Sequence, residues 1–127
     1  RNLLSWFVYD LERMKDFVDQ VVEDRFEMFQ RPEIMRSYRE NFTRSSLVEM
    51  LIPQTALERM ENEFLLIHGH FDRFVPLQSS LYALDYLPNA ELRVFKKCGH
   101  WAMIEQREEF LHATKHFFTK DKAQVNA

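Results

Sequence analysis

The chain has two glycines and one cysteine among its 127 residues. Average usage would supply about nine glycines, so turns that need a left-handed backbone are few and a mostly helical chain is expected. A lone Cys98 excludes an internal disulfide framework and fits a reducing compartment. No apolar run approaches the roughly 18–20 residues of a membrane span, and no membrane partner is expected. The formal net charge of −3, with basic residues dispersed, argues against a nucleic-acid partner. The chain opens on Arg1 with no signal-peptide pattern behind it, so it reads as part of a longer protein.

What is present is apolar and aromatic. Hydrophobic residues make up 46%, twelve of them Phe, enough for a core. Asp10 is placed to cap a helix in which Met14, Phe17, Val18, Val21 and Val22 share one face. It can run to about Phe29. Pro32 is a tolerated first-turn proline for a second helix, striped by Met35, Tyr38 and Phe42. "SLVE", Ser46–Glu49, has capping-box spacing ahead of a short helical run, and another short helix is expected around Ala56–Glu61.

From Phe64 the pattern changes. "FLLIH" reads as a strand buried on both faces. A loop from Gly69 to Val75 follows, then a helix opened by Pro76 with Leu77, Leu81 and Leu84 on one side. "LPNA" is a turn, and Glu91–Phe95 alternates as a second strand. A Cys98–Glu105 loop leads to a last helix marked by Phe110, Leu111, Thr114, Phe117 and Phe118. Strand, helix, strand, helix implies a parallel pair with a crossover. Two strands cannot cover themselves, so further strands are expected from sequence outside this chain. The expected division is residues 1–62, helical; 63–120, the βα core; and 121–127, a polar, frayed tail.

Reactive groups in open parallel sheets collect at the carboxyl ends of strands. Asp72 lies four residues past the first strand and His100 five past the second. Neighbouring parallel strands are ~4.8 Å apart, so the two side chains can meet. An Asp bonded to one imidazole nitrogen fixes the tautomer and leaves the other nitrogen as a base. Gly69 and Gly99 are read as permitting a sharp turn off each strand. Asp72 can equally be a loop Asp closing an Asx-turn, and His100 a capping or core histidine.

"GHFDRFVP" and "LRVFKKCGHWAMIEQREEF" resemble the Asp and His segments of α/β-hydrolases, and within them are most similar to meta-cleavage product hydrolases. "VVEDRFEMFQRPE" resembles a segment of their helical cap. The resemblance implies the C-terminal part of an α/β-hydrolase: the last two parallel strands with their helices, preceded by part of a cap. It implies C–C bond hydrolysis in a ring-opened dienoate, a small-molecule substrate, no cofactor, no metal and a cytoplasmic homo-oligomer. Residue by residue, Asp72 would be the triad acid and His100 the base. Trp101 and Val75 would face substrate, and Arg25 would hold its carboxylate through paired hydrogen bonds.

The nucleophile is missing. A Gly-x-Ser-x-Gly elbow cannot be written with Gly69 and Gly99 alone, and Ser79 and Ser80 sit inside a helix. This chain by itself is therefore expected to be inactive. Rivals are an ester or epoxide hydrolase of the same fold, or a non-catalytic hydrolase-like module. Trp101 can be core filler, and Arg25 a solvated helix residue or a partner of Glu23. His68-x-His70-x-Asp72 resembles the start of a metallohydrolase cluster, but Arg73 stands where a further His is needed. His112 and His116 have zinc-pair spacing without the glutamate of HExxH. Cys98 reads as a buried, inert thiol.

Overall fold

The computed structural model of the chain describes residues 4–44 and 52–120. The helical run proposed from Ser46 and the tail at 121–127 lie outside the described residues, as does the Phe42 side chain. A 3-10 turn at Leu4–Trp6 leads into α1 (Lys15–Phe29) and α2 (Pro32–Arg44), followed by the short α3 (Gln54–Leu57). The βα part comprises β1 (Phe64–Gly69), α4 (Leu77–Tyr86), β2 (Ala90–Phe95), α5 (Ala102–Glu105) and α6 (Arg107–Thr119).

The two strands pair in parallel, in a register that sets Phe64 opposite Ala90 and Gly69 opposite Phe95. Both strands therefore end at the same edge of the sheet. Pairing continues past them: the His70 N–H donates to the Phe95 carbonyl at 2.9 Å and the Phe71 N–H to the Cys98 carbonyl at 2.9 Å. The two loops that leave the sheet are thus bonded to each other before any side chain is considered.

Asp10 caps a turn ahead of α1, its Oδ1 accepting the Arg13 N–H at 3.0 Å, and the helix proper starts at Lys15. The expected apolar stripe of α1 packs inward except at Phe17, which is exposed. Val18 joins Leu4 and Val8 in a buried cluster, flanked by Phe7, Met14, Val21, Val22 and Trp101. A second cluster of Phe95, Cys98 and Ala102, flanked by Ile67, Phe110 and Ala113, lies under the β2–α6 connection.

Four details differ from the expectation. β1 is buried at His68 and Gly69, while Phe64–Ile67 are half-buried. Among the described residues β2 is its one strand neighbour, so its other edge has no strand beside it. The helix around Ala56 starts earlier, at Gln54, and ends at Leu57. The segment read as a plain loop to Glu105 contains α5, and the last helix starts at Arg107 rather than Phe110. On α6, Leu111 and Phe118 are 53% and 73% exposed. The helix is ridged, and Phe110, Ala113 and Phe117 form the row turned inward.

The two glycines do a different job from the one proposed. No glycine among the described residues has a positive φ; the residue that does is Lys97, at 53°. A Cβ on Gly69 would lie 1.9 Å from the Gly99 carbonyl oxygen and 2.7 Å from that of Cys98. A Cβ on Gly99 would lie 2.8 Å from the Phe7 carbonyl oxygen and 2.9 Å from the Tyr9 nitrogen. The glycines allow three backbone segments to touch: the end of β1, the His100 loop and residues 7–9.

Candidate active site

Asp72 sits in the loop after β1, its side chain 5% exposed. Its two oxygens have different partners. Oδ1 accepts the Phe74 N–H at 2.8 Å and the Val75 N–H at 2.9 Å, which closes the loop on itself. Oδ2 lies 2.8 Å from Nδ1 of His100. The carboxylate accepts, so Nδ1 carries the proton. Burial alone would push the Asp72 carboxyl up. The Val75 N–H, the His100 imidazole and the Phe74 N–H outweigh that and hold it below its ordinary value of 3.8.

His100 is presented by the loop after β2, its side chain 29% exposed. With Nδ1 turned to Asp72, Nε2 is left as the acceptor, and it has no hydrogen-bond partner among the described residues. The rings of Phe7 and Phe74 flank the imidazole at centroid distances of 5.0 and 5.3 Å. An oriented imidazole with one free, lone-pair nitrogen beside apolar rings can take a proton from a hydroxyl and return it to a leaving group.

The other expected site residues divide. Val75 is half-buried in the acid loop, and its backbone N–H is one of the two that fix Asp72. Trp101 adjoins His100, stacks on Phe7 at 5.1 Å and meets Phe17 edge-on at 5.7 Å. Arg25 is not brought into this cluster by any contact. It is exposed on α1, without a hydrogen bond or ion pair among the described residues, to Glu23 or otherwise.

Three residues entered the site without being assigned to it. Phe7 lies in no periodic pattern, yet its carbonyl accepts the N–H groups of both His100 (2.8 Å) and Trp101 (3.1 Å). Glu105 is 5% exposed and reaches the same loop. His68, 6% exposed, ends β1. Its Nε2 lies 3.1 Å from the Val75 carbonyl, which only accepts, so Nε2 donates and Nδ1 accepts from the Ser80 hydroxyl at 2.8 Å. His68 ties the acid loop to strand and helix. One signal for it was legible, a polar residue at the buried end of an apolar run.

The same contacts bear on the rival sites. Ser80, His68 and Asp72 fall in line, with His68 Nε2 3.8 Å from Asp72 Oδ2, but the Nε2 proton is held by Val75. Ser80 lies in the first turn of α4, not on a turn between a strand and a helix, and its hydroxyl is bonded to His68. His70 is exposed and packs edge-on against Phe71. No group of three or more His, Cys, Asp or Glu able to hold a metal occurs among the described residues. Cys98 is fully buried, and burial together with the nearby charges of Glu105, Asp72 and Glu109 pushes its thiol up to about 12. At neutral pH it is a thiol, not a nucleophile. No described helix is long and apolar enough to cross a membrane.

Two parallel strands ending together, an Asp and a His on the loops beyond them, and helices on the connections make up the C-terminal part of the α/β-hydrolase fold. No family model matches the chain. Over nearly its whole length it is similar to meta-cleavage product hydrolases. It is 33% identical over 126 residues to the 2-hydroxymuconate semialdehyde hydrolase of Pseudomonas putida, covering 97% of this chain and 44% of that protein. It superimposes on the meta-cleavage product hydrolase of Pseudomonas fluorescens with a TM-score of 0.82 and 32% identity, covering 94% of this chain and 44% of the other. For the 2-hydroxy-6-oxo-6-phenylhexa-2,4-dienoate hydrolase of a Rhodococcus species the TM-score is 0.76 and the identity 32%, over 90% and 42%. The chain thus spans less than half the length of the relatives it matches.

Proposed function

We propose that the protein carrying this chain is a serine-type α/β-hydrolase that cleaves a C–C bond in a ring-opened aromatic dienoate. Asp72 and His100 are its triad acid and base, and the serine comes from sequence other than these residues. The observation that carries the reading is the 2.8 Å bond from His100 Nδ1 to a carboxylate, with Nε2 left free. The similarity to hydrolases of ring-cleavage products narrows the substrate class. His100 moves the protons: it assists ketonisation of the dienol, takes the proton of the attacking serine or water, and delivers one to the departing carbon. Trp101 and Val75 border the substrate beside it.

Arg25 receives the substrate carboxylate. Its support is the resemblance of the cap segment and a guanidinium with no partner among the described residues. The division into cap, core and tail, a homo-oligomeric assembly and a cytoplasmic setting belong to the same proposal, the last in keeping with one buried thiol.

The test follows dienoate loss by absorbance in protein that also contains the serine. His100→Ala should lower turnover roughly a thousandfold or more, and the 127-residue chain alone should show none. Turnover by the isolated chain, abolished by His100→Ala, would refute the division of the triad. Arg25→Ala should raise KM for dienoates about ten- to a hundredfold, the worth of a hydrogen bond to a charged group. Its p-nitrophenyl ester hydrolysis should be unchanged. Equal effects on both substrates, or a preference for simple esters, would favour the ester-hydrolase rival.

A further inference from the structure

Glu105 is a buried carboxylate for which proton transfer at His100 has no use. Its side chain, 5% exposed, lies between two segments far apart in sequence. Oε2 accepts the Gly99 N–H at 2.6 Å, one peptide before His100. Oε1 accepts the Tyr9 N–H at 2.7 Å, with the Asp10 N–H at 3.4 Å. The Glu105 carbonyl in turn accepts Nη2 of Arg13 at 2.8 Å.

The same two segments are also joined directly. The Phe7 carbonyl accepts the N–H groups of His100 and Trp101. Residues 7–9 and 99–101 therefore form a short seam: the His100 and Trp101 N–H groups donate across it to Phe7, and Glu105 closes one end by accepting from both segments. Gly99 lets the seam close, because a Cβ there would strike the backbone of Phe7, Val8 and Tyr9. A buried charge taken out of water is costly unless its lone pairs are met. Glu105 is met by backbone donors from both segments, so neither can leave without stranding the charge.

We infer that Glu105 is a positioning residue: its carboxylate registers residues 7–10, which lead into the helices α1 and α2, against the loop that presents His100. The inference rests on reading His100 as the catalytic base. It adds that the geometry of this base is coupled to the entrance of the helical segment, so that a shift at Tyr9 is felt one peptide from His100. Glutamine at 105 keeps the size but turns an NH2 group toward one of the two donors, breaking one side of the seam.

The experiment has two arms. In the unsubstituted protein, amide deuterium exchange at Tyr9 and Gly99, each divided by its intrinsic rate, should give one common protection factor, because one carboxylate holds both. Clearly different protection factors overturn the inference, and this arm requires no variant to fold. In Glu105→Gln, with cooperative unfolding retained, the His100 Nδ1–H proton resonance should broaden or vanish, and kcat for the dienoate should fall about tenfold with KM nearly constant. A sharp, unshifted His100 resonance in a folded Glu105→Gln protein overturns it as well. Absence of that resonance from the unsubstituted protein would instead count against the Asp72–His100 assignment, and the protection factors would still decide the role of Glu105.

Discussion

Asp72 divides its work between its two oxygens. Oδ1 closes the loop through the Phe74 and Val75 N–H groups, and Oδ2 orients His100. The Asx-turn reading and the triad reading looked like alternatives in the sequence, yet one carboxylate makes both the turn bonds and the bond to His100 that the triad proposal needs. Its pH dependence follows. The folded carboxyl is held below its ordinary value of 3.8, so the charged form favours the folded state. That contribution is complete above 3.8 and is lost as pH falls through the lowered folded value. Asp72→Asn should flatten the acid limb of a stability-against-pH curve measured by urea unfolding. His68 carries a separate expectation. His68→Leu leaves the Val75 carbonyl and Ser80 hydroxyl without their partner, at a cost of about 1–3 kcal/mol for the stranded group. The same urea titrations check it, and Ser80→Ala should cost less, since the imidazole keeps its bond to Val75.

At the scale of elements, what matters is how two strand ends and their loops are brought within touch. Parallel pairing places Gly69 opposite Phe95, and the loop bonds from His70 and Phe71 carry the pairing onward. The 1.9 Å approach of a notional Gly69 Cβ to the Gly99 carbonyl is far inside contact distance, and the atom it meets is backbone. Gly69→Ala must therefore move the His100 loop away from the acid loop. The expected outcome is destabilisation at or beyond the roughly 1–3 kcal/mol of an overpacked core, with loss of the His100–Asp72 proton resonance. A variant of native stability with that resonance intact would show that the loops can part without disturbing the pair. The order α1, α2, α3, β1, α4, β2, α6 was legible because apolar periodicity and proline positions are local signals, whereas α5 was read as loop. The reason for the glycines was not, since φ freedom can be read from residue type and a close approach between distant backbones cannot.

Across the whole molecule, the N-terminal part and the βα part meet through several aromatic side chains, Tyr9 against Phe71, Phe17 against Trp101, and Phe7 against three rings. Phe7 stacks on Trp101 and Phe74, contacts the His100 ring and belongs with the Leu4–Val8–Val18 cluster. Phe7→Ala should lower stability by about 2–3 kcal/mol, below the range for a fully buried Phe because the ring is half-buried. It should also raise the deuterium exchange of the Gly99 and His100 amides more than that of α4. Uniform exchange across both would show that the seam carries no special share of the packing.

Asp72 and His100 were legible from sequence because each follows a strand at short distance and is set in a distinctive local motif. Strand ends in a parallel sheet bring such residues to one edge whatever their separation in the chain. Arg25 was named on a cap segment alone, and its exposed place on α1 leaves that role to experiment. Tertiary structure alone decided that Phe7 and Glu105 hold the His100 loop, that His68 braces the acid loop and that the glycines serve contact rather than turning. For Phe7, Glu105 and the glycines this depends on which distant backbone comes within contact; for His68 it depends on how the loop after β1 folds back. Local pattern sets the elements and their ends, while packing across 28 to 96 residues of sequence selects those neighbours.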